Sequence, residues 1–506
     1  MDIRRLSLNW HNKLAWYGAI GVLVWALSGL THPLMSWFGP KAKTFFPPQM
    51  QVNSQQLANL PQLLEQDKLP DGVKVAKLVP SEQGPLLQLT SGELNPRRYL
   101  NVNTGEEVKE QDLNQAIWLG QYYLGKSADE VSEVKFQRDY DAHYPWVNRL
   151  LPVYRIDYQD GTRAFFHTET MALASLTNDS KKVLHAIFVQ LHTFKFLDNL
   201  EFGRVILVAL FMLCLLAFSA TGLALVMTIK NRKIKQKRRR YHRMMAYALW
   251  LPLLGWSVSG FYHLLQASNV EPVSGIRIGD DLRVPTALSR DFSWLNQLQN
   301  QSINQMALIN SPQGLVYRLS IAEQAKNISR EQKFKGQGVE KKAIYINANT
   351  GRLLKETDFN TDKNQAIWLA ENYLKADDTV NVGEVTQAKL LTRYGPTYDF
   401  RNKRLPIWQV DIDNAEKSFL FIDPSTGQVV DQTRRIDRAE RWSFSLLHKW
   451  NHLTPFIGRF NRDVFMVIFI VLLSFTSVLG IAMIKRKKRK ARQVEPTPAV
   501  DVGSAN

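Results

Sequence analysis

Four uninterrupted apolar runs decide what this 506-residue chain can become. They lie at about 14–37, 203–229, 244–266 and 463–484. Each is near the roughly 20 residues that a helix needs to cross about 30 Å of hydrocarbon. The second, RVILVALFMLCLLAFSATGLALVMTI, carries no charge after Arg204, and VFMVIFIVLLSFTSVLGIAMI in the fourth carries none at all. Only segments that satisfy their own backbone groups survive there, so the runs are read as transmembrane α-helices. The first is read as a retained span rather than a cleaved leader, being too long and lacking a small-x-small site after it.

Charge gives the direction. The stretches 1–13, 229–243 and 485–492 together account for the whole formal net charge of +18, and the rest of the chain is neutral in sum. Basic residues that flank apolar runs follow the positive-inside pattern. A nucleic-acid binder would spread them over a folded face, so no nucleic-acid partner is expected. This gives a cytoplasmic N-terminus (1–13), a basic cytoplasmic loop (230–243) and a cytoplasmic tail (485–506) that turns disordered after 492. The segments 38–202 and 267–462 then face outward, periplasmic in a multi-pass protein of a bacterial inner membrane. The one cysteine, Cys214, lies in an apolar run and excludes a disulfide framework or CxxC site.

The chain reads as a duplication. WHNKLAWYGAIGVLVWALSGLTH (10–32) lies over YHRMMAYALWLPLLGWSVSGFYH (241–263) at a constant offset of 231. His11 meets His242, Trp25 meets Trp256, Ser28-Gly29 meets Ser259-Gly260, and His32 meets His263. NVNTG at 101–105 meets NANTG at 347–351, NQAIWL occurs at 114–119 and 364–369, and LPVYRID at 151–157 meets LPIWQVD at 405–411. The spans run in the same sense, so the repeat is parallel, about an axis along the membrane normal. The fold class is therefore four transmembrane helices built from a duplicated two-span unit, with two α+β outer domains. Strand–turn–strand units such as KKAIYINANTGRLLKE alternate with the helical spacing of NQAIWL. Trp118 and Trp368 in those helices read as core residues. Tyr144, Trp146, Tyr394 and Tyr398, at matched loop positions, read as packing residues.

Histidine placement carries the chemistry. His32 follows His11 by 21 positions, roughly 31 Å of helix, so the two imidazoles sit at opposite membrane rims. At about 100° per residue they fall within about 60° of one face. A histidine against lipid is costly, so these rings should point into the bundle. His192 and His448 align through a shared Leu-His pair just before spans two and four, with His185 and His452 nearby. The outer rim thus collects His32, His192, His263 and His448, and the inner rim His11 and His242. Neutral imidazoles from facing helices in an apolar interior suit the axial positions of b-type haem. Gly29 and Gly260, beside serines, would let a flat ring approach the backbone. No cysteine or carboxylate joins these groups, so no zinc site is expected. Pairing stays open: His11 with His242, then His32 with His263 and His192 with His448, or pairs across neighbouring spans.

These parts in this order resemble the PepSY-associated transmembrane family. WHNKLAWYGAIG resembles its first-span motif, His-Arg-x-x-Gly, and IYINANTG and LFIDPSTG resemble its PepSY modules. Asn12 departs from the motif, whereas His242-Arg243 keeps it. FFHTETMAL has lost the Thr-Gly of its module, so that unit is expected to be degenerate. The chain is most similar to the iron-regulated inner-membrane proteins that include haem-containing ferric-siderophore reductases. That resemblance implies two or more haem b groups on His11, His32, His192, His242, His263 and His448, with His185 and His452 as weaker candidates. It also implies electron transfer from a membrane or cytoplasmic donor to a ferric siderophore or other ferric chelate outside. Two other functions fit the same sequence: a non-enzymatic module that binds or restrains a partner such as a protease, and a metal-handling permease.

Overall fold

The computed structural model describes residues 2–44, 46–65, 69–92, 94–200, 202–229, 236–271, 281–284, 287–298, 301–322, 343–355, 361–376, 383–398 and 404–492. The tail read as disordered and residues 230–235 of the basic loop lie outside the described residues.

Four helices are long and apolar enough to cross a membrane. They are α1 (Ile3–Phe38), α6 (Phe202–Thr228), α7 (Lys237–Asn269) and α10 (Thr454–Arg492). Asp2 opens α1 by accepting from the Arg4 N–H, and the Gly39 N–H closes it on the Met35 carbonyl. The helices run beyond the apolar runs because charged ends extend them into water. In α10 the backbone breaks at Gly458 (φ 79°, ψ 163°), a conformation open only to glycine, so its first turn is set apart from the long span. α1 packs against α6 and α10, and α7 packs against the same two. Each helix sends one residue to the shared centre: Val22, Leu215, Leu249 and Leu473. Large apolar side chains such as Leu210, Val471 and Phe475 stay exposed on the outside, as a lipid-facing surface requires.

Outside the bundle, Ser54–Leu57 and Leu60–Leu63 form two short helices (α2, α3) before the first strands. Strands β1 (Val73–Ser81), β2 (Gly84–Ser91) and β3 (Arg98–Asn101) precede α4 (Gln111–Leu124). β4 (Val131–Gln137), β5 (Val153–Tyr158), β6 (Arg163–His167) and β7 (Ala172–Thr177) follow as an antiparallel sheet that packs on α4. The second half has β8 (Ile303–Ser311), β9 (Gly314–Ile321), β10 (Ala343–Asn347) and α8 (Asp362–Ala376). Its second sheet is β11 (Glu384–Leu391), β12 (Ile407–Asp413), β13 (Phe419–Asp423) and β14 (Gln428–Thr433). The Asn-Thr-Gly turns have a local cause. Asn101 and Asn347 accept from the N–H groups two and three residues on, and Gly105 and Gly351 take positive φ. Trp118 lies half-buried against the α4 core, and Tyr144 and Tyr398 are fully buried, each donating its hydroxyl to a loop carbonyl.

Two features differ from the sequence reading. The outer segments 38–202 and 267–462 share one six-stranded sheet, ordered β10-β9-β8-β1-β2-β3. β1 and β8 pair antiparallel, with Ala76 opposite Leu308 and Leu78 opposite Met306. Buried ions reinforce the join. Arg149 meets Asp431 at 2.7 Å with both side chains almost wholly buried, and Lys77 donates to Gln305 Oε1 at 3.3 Å. The turn 168–171, which lacks Thr-Gly, still makes the β6–β7 hairpin. Met171 takes the positive φ (53°) that Gly427 takes in the β13–β14 hairpin, and its side chain is buried in the α4 core.

Candidate functional site

Before spans two and four the chain descends against the bundle in the same way twice. α5 (Asp179–Ile187) widens into a π-turn over Phe188–His192, and α9 (Arg435–Ser443) into a π-turn over Phe444–His448. Such turns recur at functional sites because they push one residue out of helical register. Two residues after each histidine an aromatic residue takes positive φ, Phe194 at 55° and Trp450 at 50°. A non-glycine residue holds that conformation only when its surroundings fix it.

The surroundings are explicit. Trp25 donates its indole N–H to the His192 carbonyl at 3.0 Å, and Trp256 donates to the His448 carbonyl at 3.0 Å. Ser28 Oγ lies 3.1 Å from His192 Nδ1, and Ser259 Oγ lies 3.2 Å from His448 Nδ1. With Nδ1 engaged, Nε2 is the nitrogen left to ligate. A Cβ on Gly29 would meet His192 Cε1 at 3.6 Å, and one on Gly260 would meet His448 Cε1 at 3.9 Å. These glycines therefore admit the imidazole rings. Met212 also packs on Gly260.

Six rings form a row across the outer rim. His32 lies 6.1 Å from Phe188, which stacks on His192 at 4.7 Å. His192 and His448 have ring centres 6.2 Å apart with planes at 86°. His448 stacks on Phe444 at 4.5 Å, and Phe444 stacks on His263 at 4.5 Å. Two imidazoles on one metal, with bonds of about 2.0 Å and roughly 1.1 Å from nitrogen to ring centre, have centres at most about 6.2 Å apart. His192 and His448 already stand at that separation. His32 and His263 are exposed at the ends of the row. Lys449, Arg459 and Arg462 bring positive charge to the His32 end.

At the other rim His11 stacks on Phe218 at 4.4 Å, with its Cε1 3.4 Å from the place a Cβ would take on Gly222. His242 Nδ1 lies 3.2 Å from the Thr476 carbonyl, and its Cε1 sits 3.4 Å from the corresponding place on Gly480. The two imidazoles are near enough for their charges to interact. Arg243 is buried beside them and donates to the Leu225 and Val226 carbonyls at the end of α6. Asn12, at the matched place in α1, is exposed.

The structure thus brings together His192 and His448, with His32 and His263 flanking them, and places His11 and His242 at the other end. It does not bring in His185 or His452, which make no hydrogen bond or ring contact among the described residues. His185 is lowered by burial and by Lys181 and Lys195, and His452 is exposed. Sequence reasoning missed Gly222, Gly480, Phe188, Phe444 and Glu440. Phe188 and Phe444 each stand four residues before the histidine of the aligned Leu-His pair, a signal present but unread.

Among curated proteins no match is found. Residues 2–225, from α1 through most of α6, match the PepSY-associated TM region.

Proposed function

We propose that this protein is a haem-bearing electron-transfer protein of the bacterial inner membrane that reduces ferric chelates, siderophore complexes among them, on its outer side. The observation that carries the reading is the 6.2 Å separation of His192 and His448, each with Nδ1 already held by a serine. Bound haem would supply one-electron transfer, and the iron would supply the redox chemistry itself. The chain's own residues do the rest. His192 and His448 each have Nε2 left as the nitrogen to ligate, and the tryptophan and serine hydrogen bonds hold the backbone and Nδ1 of each. His11 and His242 would hold a second group at the inner rim, where Gly222 and Gly480 leave room. His32 and His263 offer further ligands at the outer rim. Lys449, Arg459 and Arg462 favour an anionic chelate there.

The paired hydrogen bonds, π-turns and left-handed aromatics support a duplicated two-span unit. The basic flanks support cytoplasmic termini with the sheets on the periplasmic side. Reduction of a ferric chelate weakens its hold on the metal, because hard oxygen ligands bind the ferrous ion poorly. The test is an absorption spectrum of the detergent-purified chain supplied with haem, followed by mixing the reduced protein with a ferric hydroxamate. A Soret band that loses intensity in the His192→Ala and His448→Ala variants, with reoxidation by the chelate, is the expected result. A wild-type preparation without a Soret band overturns the reading.

A further inference from the structure

The outer row is not symmetric in its electrostatics. His263 Nδ1 lies 2.6 Å from Glu440 Oε1, and Glu440 is buried on α9. An ionised carboxylate only accepts, so this nitrogen carries the proton and Nε2 keeps its lone pair. Phe444 stacks on the same ring at 25°, which fixes its plane. α9 is itself anchored, since Gln266 of α7 donates to the Ile436 carbonyl and Asp437 accepts from the Arg434 N–H.

His32 has none of this. Leu184 stands four residues before Phe188, as Glu440 stands four before Phe444. The His32 ring is tilted 60° from Phe188, and among the described residues no hydrogen bond holds it. A buried carboxylate is costly unless it has a partner. The partner that the described residues give Glu440 is His263.

We propose that Glu440 is a positioning residue that makes His263 a stronger electron donor to a bound metal than His32. A group that His263 ligates is then held at a lower potential than it would be without that carboxylate. A carboxylate on the far nitrogen raises the basicity of an imidazole ligand and fixes its orientation, which favours the oxidised metal. The inference rests on the haem reading above.

Potentiometric titration of the haem-loaded full chain in detergent tests it. Glu440→Gln still accepts the N–H but removes the charge. One spectral component should then shift to a more positive midpoint by at least tenfold in the reduction equilibrium, about 59 mV for one electron. Leu184→Glu should move a component the opposite way. Glu440→Leu should also lower haem occupancy, because orientation is lost with the charge. Size exclusion and the melting temperature establish that each variant is folded. Should Glu440→Leu fail to fold, Glu440→Gln still decides. A folded, fully loaded Glu440→Gln protein whose titration superimposes on wild type overturns the inference and leaves the haem reading standing. A wild type with no Soret band removes both.

Discussion

The Trp25 indole reaches across 167 positions of sequence to donate to the His192 carbonyl at 3.0 Å. This bond ties the π-turn to span one at the residue that faces His448. Trp25→Phe keeps most of the apolar surface and removes the donor. It should cost about 1 kcal/mol in stability and weaken haem retention more than it lowers the melting temperature. Trp256→Phe should do the same at His448. Soret intensity after gel filtration, compared with thermal unfolding in the same detergent, checks both.

The inner rim depends on empty space at two glycines. A Cβ at Gly222 or Gly480 would sit 3.4 Å from the Cε1 of His11 or His242, so alanine is barely accommodated. Gly222→Leu and Gly480→Leu should displace those rings and abolish the inner site while leaving the outer one loaded. Haem stoichiometry per chain is the measurement, and an unchanged ratio would refute the assignment.

Arg243→Ala should loosen the contact between α6 and α7. Its guanidinium donates to the carbonyls of Leu225 and Val226 near the end of α6, where a cation also complements the helix dipole. A loss of about 1–3 kcal/mol is expected, read as faster proteolysis of the 230–243 loop in proteoliposomes. Asn12→Ala, at the exposed matched position, should change nothing.

Arg149→Ala would leave Asp431 buried without its cation. The expected cost is about 3–5 kcal/mol, and the double variant with Asp431→Ala should recover part of it. Denaturant unfolding followed by the intrinsic fluorescence of the outer region distinguishes the two.

Acid should weaken the outer region through Asp157. Partial burial raises this carboxyl, but hydrogen bonds from Arg155 and Arg163 and their charges outweigh that and hold it at about 2, below its ordinary 3.8. A lowered pKa contributes stability above the unfolded value that is lost as pH falls from about 4 through about 2. Asp157→Asn should therefore destabilise at pH 7 by about 1 kcal/mol, discounted for solvent screening. The gap to wild type should close near pH 2 in thermal melts.

Much of this was legible because membrane spans announce themselves by length and missing charge. His11, His32, His242 and His263 were legible because an offset of 231 returned them in register, and His192 and His448 because both follow a leucine just before a span. The turn at 168–171 was misleading: motif loss suggested a degenerate module, yet Met171 holds the left-handed position because burying its side chain offsets the strain. Pairing between β1 and β8 left no local trace, since alternation says which face a strand buries and not which neighbour it chooses. Glu440 was invisible for a different reason. Its aligned neighbour Leu184 is apolar, so a search for repeated polar residues passes over the place where the halves diverge.

The β1–β8 seam restricts motion. Rocking one half against the other would tear a backbone ladder and strip Arg149 from Asp431 in a dry interior. Transport by alternating access needs such rocking, whereas tunnelling over a set gap is spoiled by it. A scaffold stitched in this way holds the groups on its two halves at constant range, which is the property that the proposed electron transfer requires.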